Sequence, residues 1–96
     1  MSNTLPDDLV RSGGTSVFTQ DTIPAGLRAA HALAPGRWGL LHVIEGGLVF
    51  VDETTGAEQP LSAPEAWVIM PEMRHHVRVS GPVVCQIDFY RAPSDA

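Results

Sequence analysis

Short alternating apolar runs separated by turn residues fill the second half of this chain. Trp38–Glu45 is apolar and rich in β-branched and aromatic residues, Gly46–Gly47 interrupts it, and Leu48–Val51 resumes it. Two such runs about a Gly-Gly pair predict a tight hairpin, because both central positions can take positive φ. Asp52–Gly56 reads as the next turn, Glu58–Leu61 as a short strand, Pro64–Glu65 as a turn, and Trp67–Met70 as a buried strand ended by Pro71. His75–Val79 alternates, Ser80–Gly81–Pro82 turns, and Val83–Tyr90 completes the set. Turns at this spacing predict an all-β sandwich or barrel.

The first third is less regular. Met1–Asn3 and Pro93–Ala96 read as frayed ends, Arg11–Thr15 as a loop about Gly13 and Gly14, Ser16–Thr19 as a short strand and Asp21–Pro24 as a turn. Ala25–Ala34 fits two patterns. Its alanines favour helix, whereas Leu27, Ala29, His31 and Leu33 share one face of a strand. Periodicity leaves both open.

Composition narrows the class. A chain of 96 residues is expected to be one domain with a thin core, and 44% apolar residues is too many for disorder. Nine Gly and eight Pro imply many short elements, which favours strands over a helix bundle. A net charge of −5 with six scattered basic residues argues against nucleic acid and anionic membranes. Met1–Val10 has no apolar segment like a signal peptide, no run is long enough to span a bilayer, and Cys85 is a lone thiol. The expected setting is the cytoplasm.

Alternation then selects candidate residues. Val77 and Val79 must face the core, which puts Met73 and His75 on the inner face and Arg74, His76 and Arg78 on the outer one. By the same reasoning Cys85, Ile87 and Phe89 face in, whereas His42 and Asp88 face out. One inward histidine is usually a hydrogen-bonded core residue. If the segment carrying His31 is a strand, two imidazoles from separate strands can converge on one ion. Glu72, beside the Pro71 turn, is the candidate third ligand and the one catalytic acid or base candidate; His76 competes as ligand if its strand is bulged. Trp38, Trp67 and Met73 are expected to wall an apolar pocket. Cys85 reads as a packed hydrophobe, and no GxSxG, P-loop, GxGxxG or CxxC motif is present.

Several of these residues also form a recognisable series. Phe18-Thr-Gln-Asp-Thr-Ile-Pro24 precedes His31; Gly36-Arg-Trp38-Gly39 follows, then Leu41, Val43, Gly46 and Leu48. Pro71-Glu-Met-Arg-His75-His-Val77 and Asp88-Phe89-Tyr90-Arg91 come later. Over roughly residues 16–91 this series resembles the TehB/YeaR-like cupin family, small domains associated with tellurite resistance. The resemblance implies a cupin-like antiparallel β-barrel, or jelly-roll sandwich, with a metal or ligand held inside on histidines from two separated motifs. His31 matches the first of these histidines and His75 the second, so the resemblance turns Ala25–Ala34 toward strand. Arg74 stands where the family often has Trp. The first motif lacks the paired histidine and the glutamate of typical metal cupins, which implies a three-ligand site with open positions for water.

The resulting expectation is a single cytoplasmic cupin-like domain over residues 1–96. It would bind a divalent metal (zinc, iron, nickel or manganese) on His31, His75 and Glu72, and through it a small molecule or oxyanion, in tellurite or oxidative-stress tolerance. Two further readings stand beside it. One is a cupin-type metalloenzyme, an oxygenase, isomerase or lyase. The other is a metal-free sensing or interaction module in which both histidines are satisfied core residues. Exposed sheet edges and a thin core favour a homodimer.

Overall fold

The computed structural model describes residues 3–93 and contains seven strands and one helical turn. They are β1 (Val10–Gly14), β2 (Phe18–Thr19), α1 (Ala25–Arg28), β3 (Trp38–Asp52), β4 (Glu58–Ser62), β5 (Ala66–Ile69), β6 (His75–Arg78) and β7 (Val83–Arg91). All pairings between strands are antiparallel. The first half of β3 lies between β5 and β7, with β1 and β2 on the far side of β7. The second half of β3 lies between β4 and β6. One long strand therefore belongs to both faces of a cupin-like β-sandwich, as the spacing of turns predicts.

The expected hairpin at Gly46–Gly47 is not formed. β3 runs straight through as 15 residues. The two halves find partners elsewhere, so neither folds back on the other. What the glycines allow instead is a bulge: Val43 pairs with Cys85 and Glu45 with Val84, which leaves Ile44 unpaired and 45% exposed. The extra residue reverses the parity of the strand. Leu41 and Val43 are buried before it, and Leu48 and Phe50 after it. Gly46 has φ +70°, and a Cβ there would lie 2.0 Å from the Pro82 carbonyl oxygen.

Two other expectations are corrected. Arg11–Thr15 is largely strand, because residues 10–14 pair with the end of β7, with an irregularity between Arg11 and Gly13. Gly14 looks like a loop residue in sequence but answers a steric need: a Cβ there would stand 2.6 Å from the Arg11 guanidinium and 2.8 Å from Asp88 Oδ1. Ala25–Ala34 is neither all helix nor all strand. One turn follows Pro24 and lays Leu27 against the core. Ala29 is then extended, and His31 and Leu33 form isolated bridges to His75 and Pro71. Backbone bonds to residues 71–75 outweigh the helix propensity of the alanines there.

The core between the sheets includes Leu41, Val43, Leu48, Phe50, Leu61, Ile69, Val77, Val83, Cys85 and Ile87, all buried. Of the segments expected to fray, most residues lie outside the described ones. Asn3 is described and tied down: its side-chain amide donates to the Val68 carbonyl and accepts from the Val68 N–H. That amide completes the edge of β5 as a neighbouring strand would.

Gly46→Ala is expected to destabilise the domain by about 2 kcal/mol or more, from positive φ and the clash with Pro82. Gly26→Ala, where a Cβ would meet nothing within 4 Å, is expected to be neutral or mildly stabilising. Urea denaturation of both variants checks the contrast.

Candidate functional site

His31 and His75 lie 44 positions apart in sequence but directly opposite each other in an antiparallel bridge. The His31 N–H donates to the His75 carbonyl at 3.0 Å, and the His75 N–H donates back at 2.8 Å. Residues paired in this way project side chains to the same face. The two rings accordingly meet edge to face, with centroids 4.3 Å apart. His75 is 1% exposed and is the one buried polar or charged residue among those described; His31 is half-buried.

The hydrogen bonds fix the tautomers. His75 Nδ1 lies 2.8 Å from the Met73 carbonyl, and His31 Nδ1 lies 3.1 Å from the Ala29 carbonyl. A carbonyl oxygen only accepts, so each Nδ1 carries a proton and each neutral ring keeps its lone pair on Nε2. Each bond is to the carbonyl two residues back, so the extended backbone of each segment orients its own ring. Burial lowers the pKa of His75, against a smaller upward pull from the Met73 hydrogen bond.

The aromatic row continues inward. Phe50 stacks on His75 with centroids 5.1 Å apart, and Trp67 tilts against Phe50 at 6.5 Å. Phe50 and Trp67 then wall a cavity of about 320 Å³ together with Val68, Met70 and Met73. Its polar lining is Asn3, Asp52, Glu58 and Gln59. Register explains the set. Asp52 pairs with His75 and Phe50 with Gln59, and Phe50 and Asp52 are two apart on one strand, so they share the inner face. Asp52 is held below the usual carboxylate range by hydrogen bonds from Thr54, and Glu58 by Arg78 at 2.8 Å. No basic residue lines the cavity.

The family can now be read from comparison. The TehB-like domain family matches residues 14–87. The chain belongs to that family. Among solved structures, TehB from Haemophilus influenzae aligns with TM-score 0.80 and 26% identity, covering 90% of this chain and 32% of that one. This TehB-like domain thus spans about a third of that longer protein. An Escherichia coli K12 protein aligns with TM-score 0.87 and 22% identity, over 95% of this chain and 98% of that one. A cupin protein from Bacteroides fragilis aligns at 0.58 and 15% identity, over 100% and 86% respectively, which shows the shared cupin fold. No curated protein sequence matches the chain.

Tested against a metal, the donors of this TehB-like domain are right in kind and short in number. Neutral imidazoles oriented through Nδ1 are good ligands for a borderline divalent ion. Yet among the described residues no group of three His, Cys, Asp or Glu could hold an ion. Glu72, the expected third ligand, is exposed; its backbone N–H bonds Leu33 and its φ is +64°. His76 faces away and pairs with Glu53 on the outer side. A closed site needs four ligands and an open catalytic site about three. The residues present do not make a tight resident metal centre.

Of the expected apolar wall, Trp67 and Met73 line the cavity. Trp38 does not, because it starts β3 opposite Tyr90. Phe50, expected among the core aromatics, lines the cavity as well, and sequence reasoning missed Asp52 and Gln59 as its polar partners. The usable signal was parity after the bulge, which places Leu48, Phe50 and Asp52 in one row. Cys85 is 3% exposed, and burial pushes its thiol pKa up, as suits a packing residue.

The depressed His75 pKa predicts a pH-dependent stability. The folded state holds this ring neutral, while the unfolded chain binds a proton near the ordinary value of 6.5. Its contribution is therefore complete above that pH and is lost progressively as pH falls below it toward the folded-state pKa. Urea midpoints measured from neutral pH downward are expected to fall more steeply for the native domain than for His75→Phe.

Proposed function

We propose that this TehB-like domain is a binding module for a small, largely apolar molecule, seated in the cavity walled by Phe50, Trp67, Met70 and Met73. The observation that carries this is the cavity itself: about 320 Å³, apolar walls, and polar groups gathered at Asn3, Asp52, Glu58 and Gln59. Such proportions suit a compact ligand held by its body and oriented by a few hydrogen bonds. Arg78 already pairs with Glu58, whereas Asp52 has no ion-pair partner among the described residues, so its carboxylate favours a ligand that donates hydrogen bonds and disfavours a free oxyanion in this cavity. His75 stands behind Phe50 and supports the wall through its stack.

A second reading is favoured by the two tautomers. A divalent ion, where one binds, would be held by Nε2 of His31 and His75, with water or a ligand completing its coordination. Such an ion supplies Lewis-acid chemistry when bound. Two protein ligands make this a weak site, and among the described residues Asp52, which pairs with His75, is the acid that register brings beside it. The cellular role attached to either reading is tolerance of tellurite or oxidative stress, in the cytoplasm, as a homodimer. Exposed apolar residues Val10, Val17 and Ile44 offer area for self-association.

A fragment screen by NMR tests the first reading. Binders are expected to shift the Trp67 indole and the Met70 and Met73 methyls saturably, and Trp67→Ala is expected to weaken them about tenfold. Saturable binders that leave those signals unmoved would overturn it. Elemental analysis of native, His31→Ala and His75→Ala protein tests the second; metal content equal in all three would sink it.

A further inference from the structure

A second cavity, of about 390 Å³, lies apart from the one just described and has the opposite character. It is lined by Ser12, Pro35, Gly36, Arg37 and Arg91. Two of the six basic residues of a chain with net charge −5 thus meet at one opening, and none of the described residues lining it is acidic. The convergence follows from the ladder. Trp38 pairs with Tyr90, so Arg37, just before β3, and Arg91, at the end of β7, are the next positions outward along the same ladder. Val10 of β1 pairs with Arg91 from the other side, which brings Ser12 to the same rim.

Like charges on adjacent strands repel, and proteins usually separate them or insert a carboxylate. This protein does insert one elsewhere: Arg11 pairs with Asp88 at 3.0 Å and Arg78 with Glu58 at 2.8 Å. Arg37 and Arg91 form no ion pair with any described residue. Arg37 is nevertheless held in place, its guanidinium carbon 4.0 Å from the centre of the Phe89 ring. Stacking fixes the plane of the guanidinium and leaves its edge donors unspent. Arg91 uses one nitrogen on the Ala92 carbonyl at 3.3 Å and keeps its remaining donors. The Ser12 hydroxyl adds a neutral donor at the rim.

We propose that this groove is an anion site, which takes the phosphate or carboxylate group of a small metabolite between Arg37 and Arg91. Planar guanidinium forks match both groups through paired N–H donors. The anion cancels the repulsion between the two arginines, so it needs little reorganisation of the protein. Being open, the groove holds the charged group alone and leaves the rest of the metabolite in solvent. Affinity is therefore modest and falls with salt.

The test is an NMR titration of the native chain with inorganic phosphate in one arm and succinate in the other, at constant ionic strength. The expected result is saturable shifts confined to the amides and side chains of Ser12, Gly36, Arg37 and Arg91. Tighter binding in one arm identifies the preferred group. Arg91→Gln is expected to weaken binding about tenfold, and Arg37→Lys, which keeps the charge but loses the planar stack, by several-fold. Arg28→Gln, on α1, is expected to change nothing. Equal thermal melts confirm that the variants are folded. Shifts spread over the surface without saturation, or equal binding by Arg91→Gln, would overturn the proposal.

Discussion

Four of the six strand pairings among the described residues are made on one strand. β3 is the hydrogen-bonding neighbour of β4, β5, β6 and β7, and it can serve both sheets because it changes parity in its middle. Without the bulge at Ile44, alternation would send either Leu41 and Val43 or Leu48 and Phe50 to solvent. The cost is one unpaired apolar residue at the surface and a glycine pressed against Pro82. The gain is a closed core from a chain with little area to bury. The site inherits this geometry. Phe50 and Asp52 reach the cavity because the second half of β3 is inverted relative to the first.

The pair of histidines depends on a different constraint. Their rings meet because their backbones exchange two hydrogen bonds. The segment from Ala29 to Leu33 is held chiefly by its bridges to His75 and Pro71, so His31 is positioned by the strand that carries its partner. From there, His75, Phe50 and Trp67 form a continuous aromatic row leading to the cavity. A change at either histidine is transmitted to the cavity wall through the face of Phe50. Effects of His31 or His75 variants on ligand binding would therefore not by themselves require a metal; metal content is the separating measurement.

Much of the fold was legible in the sequence, for physical reasons that also explain the failures. β6 and β7 alternate with period two, so the inward positions of His75, Val77, Cys85 and Ile87 follow from residue types alone. The Gly-Gly pair misled because glycine permits both a hairpin turn and a bulge, and only partners distant in sequence decide between them. β1 was invisible because Gly13 and Gly14 suit a loop, whereas Gly14 is there to admit the Arg11–Asp88 pair. Ala25–Ala34 mixed two signals because it contains two structures, a helical turn and an extended bridge. At the site, the coincidence of His31 with His75 came from resemblance to the TehB-like family. The cavity lining instead required knowing which residues of β3 share a face. Glu72 is near His75 in sequence but not at the ligand positions in space. Its positive φ at the Pro71 turn belongs to an exposed corner, beyond any three-ligand group with the histidines.

Charge divides the two cavities more sharply than shape does. In the cavity beside Trp67, Arg78 compensates Glu58 from outside the lining, whereas Asp52, held ionised by Thr54, has no ion-pair partner among the described residues and repels a negative group entering it. The groove beside Arg37 has two guanidinium groups and no acid among the described residues of its lining. In an acidic domain, long-range potential slows the approach of any anion. Local pairing must therefore supply what the overall field opposes. Arg37 and Arg91 are the two neighbouring cations that the described side chains leave to do so. If the domain handles an oxyanion, electrostatics directs it to this groove and leaves the aromatic cavity to the apolar ligand.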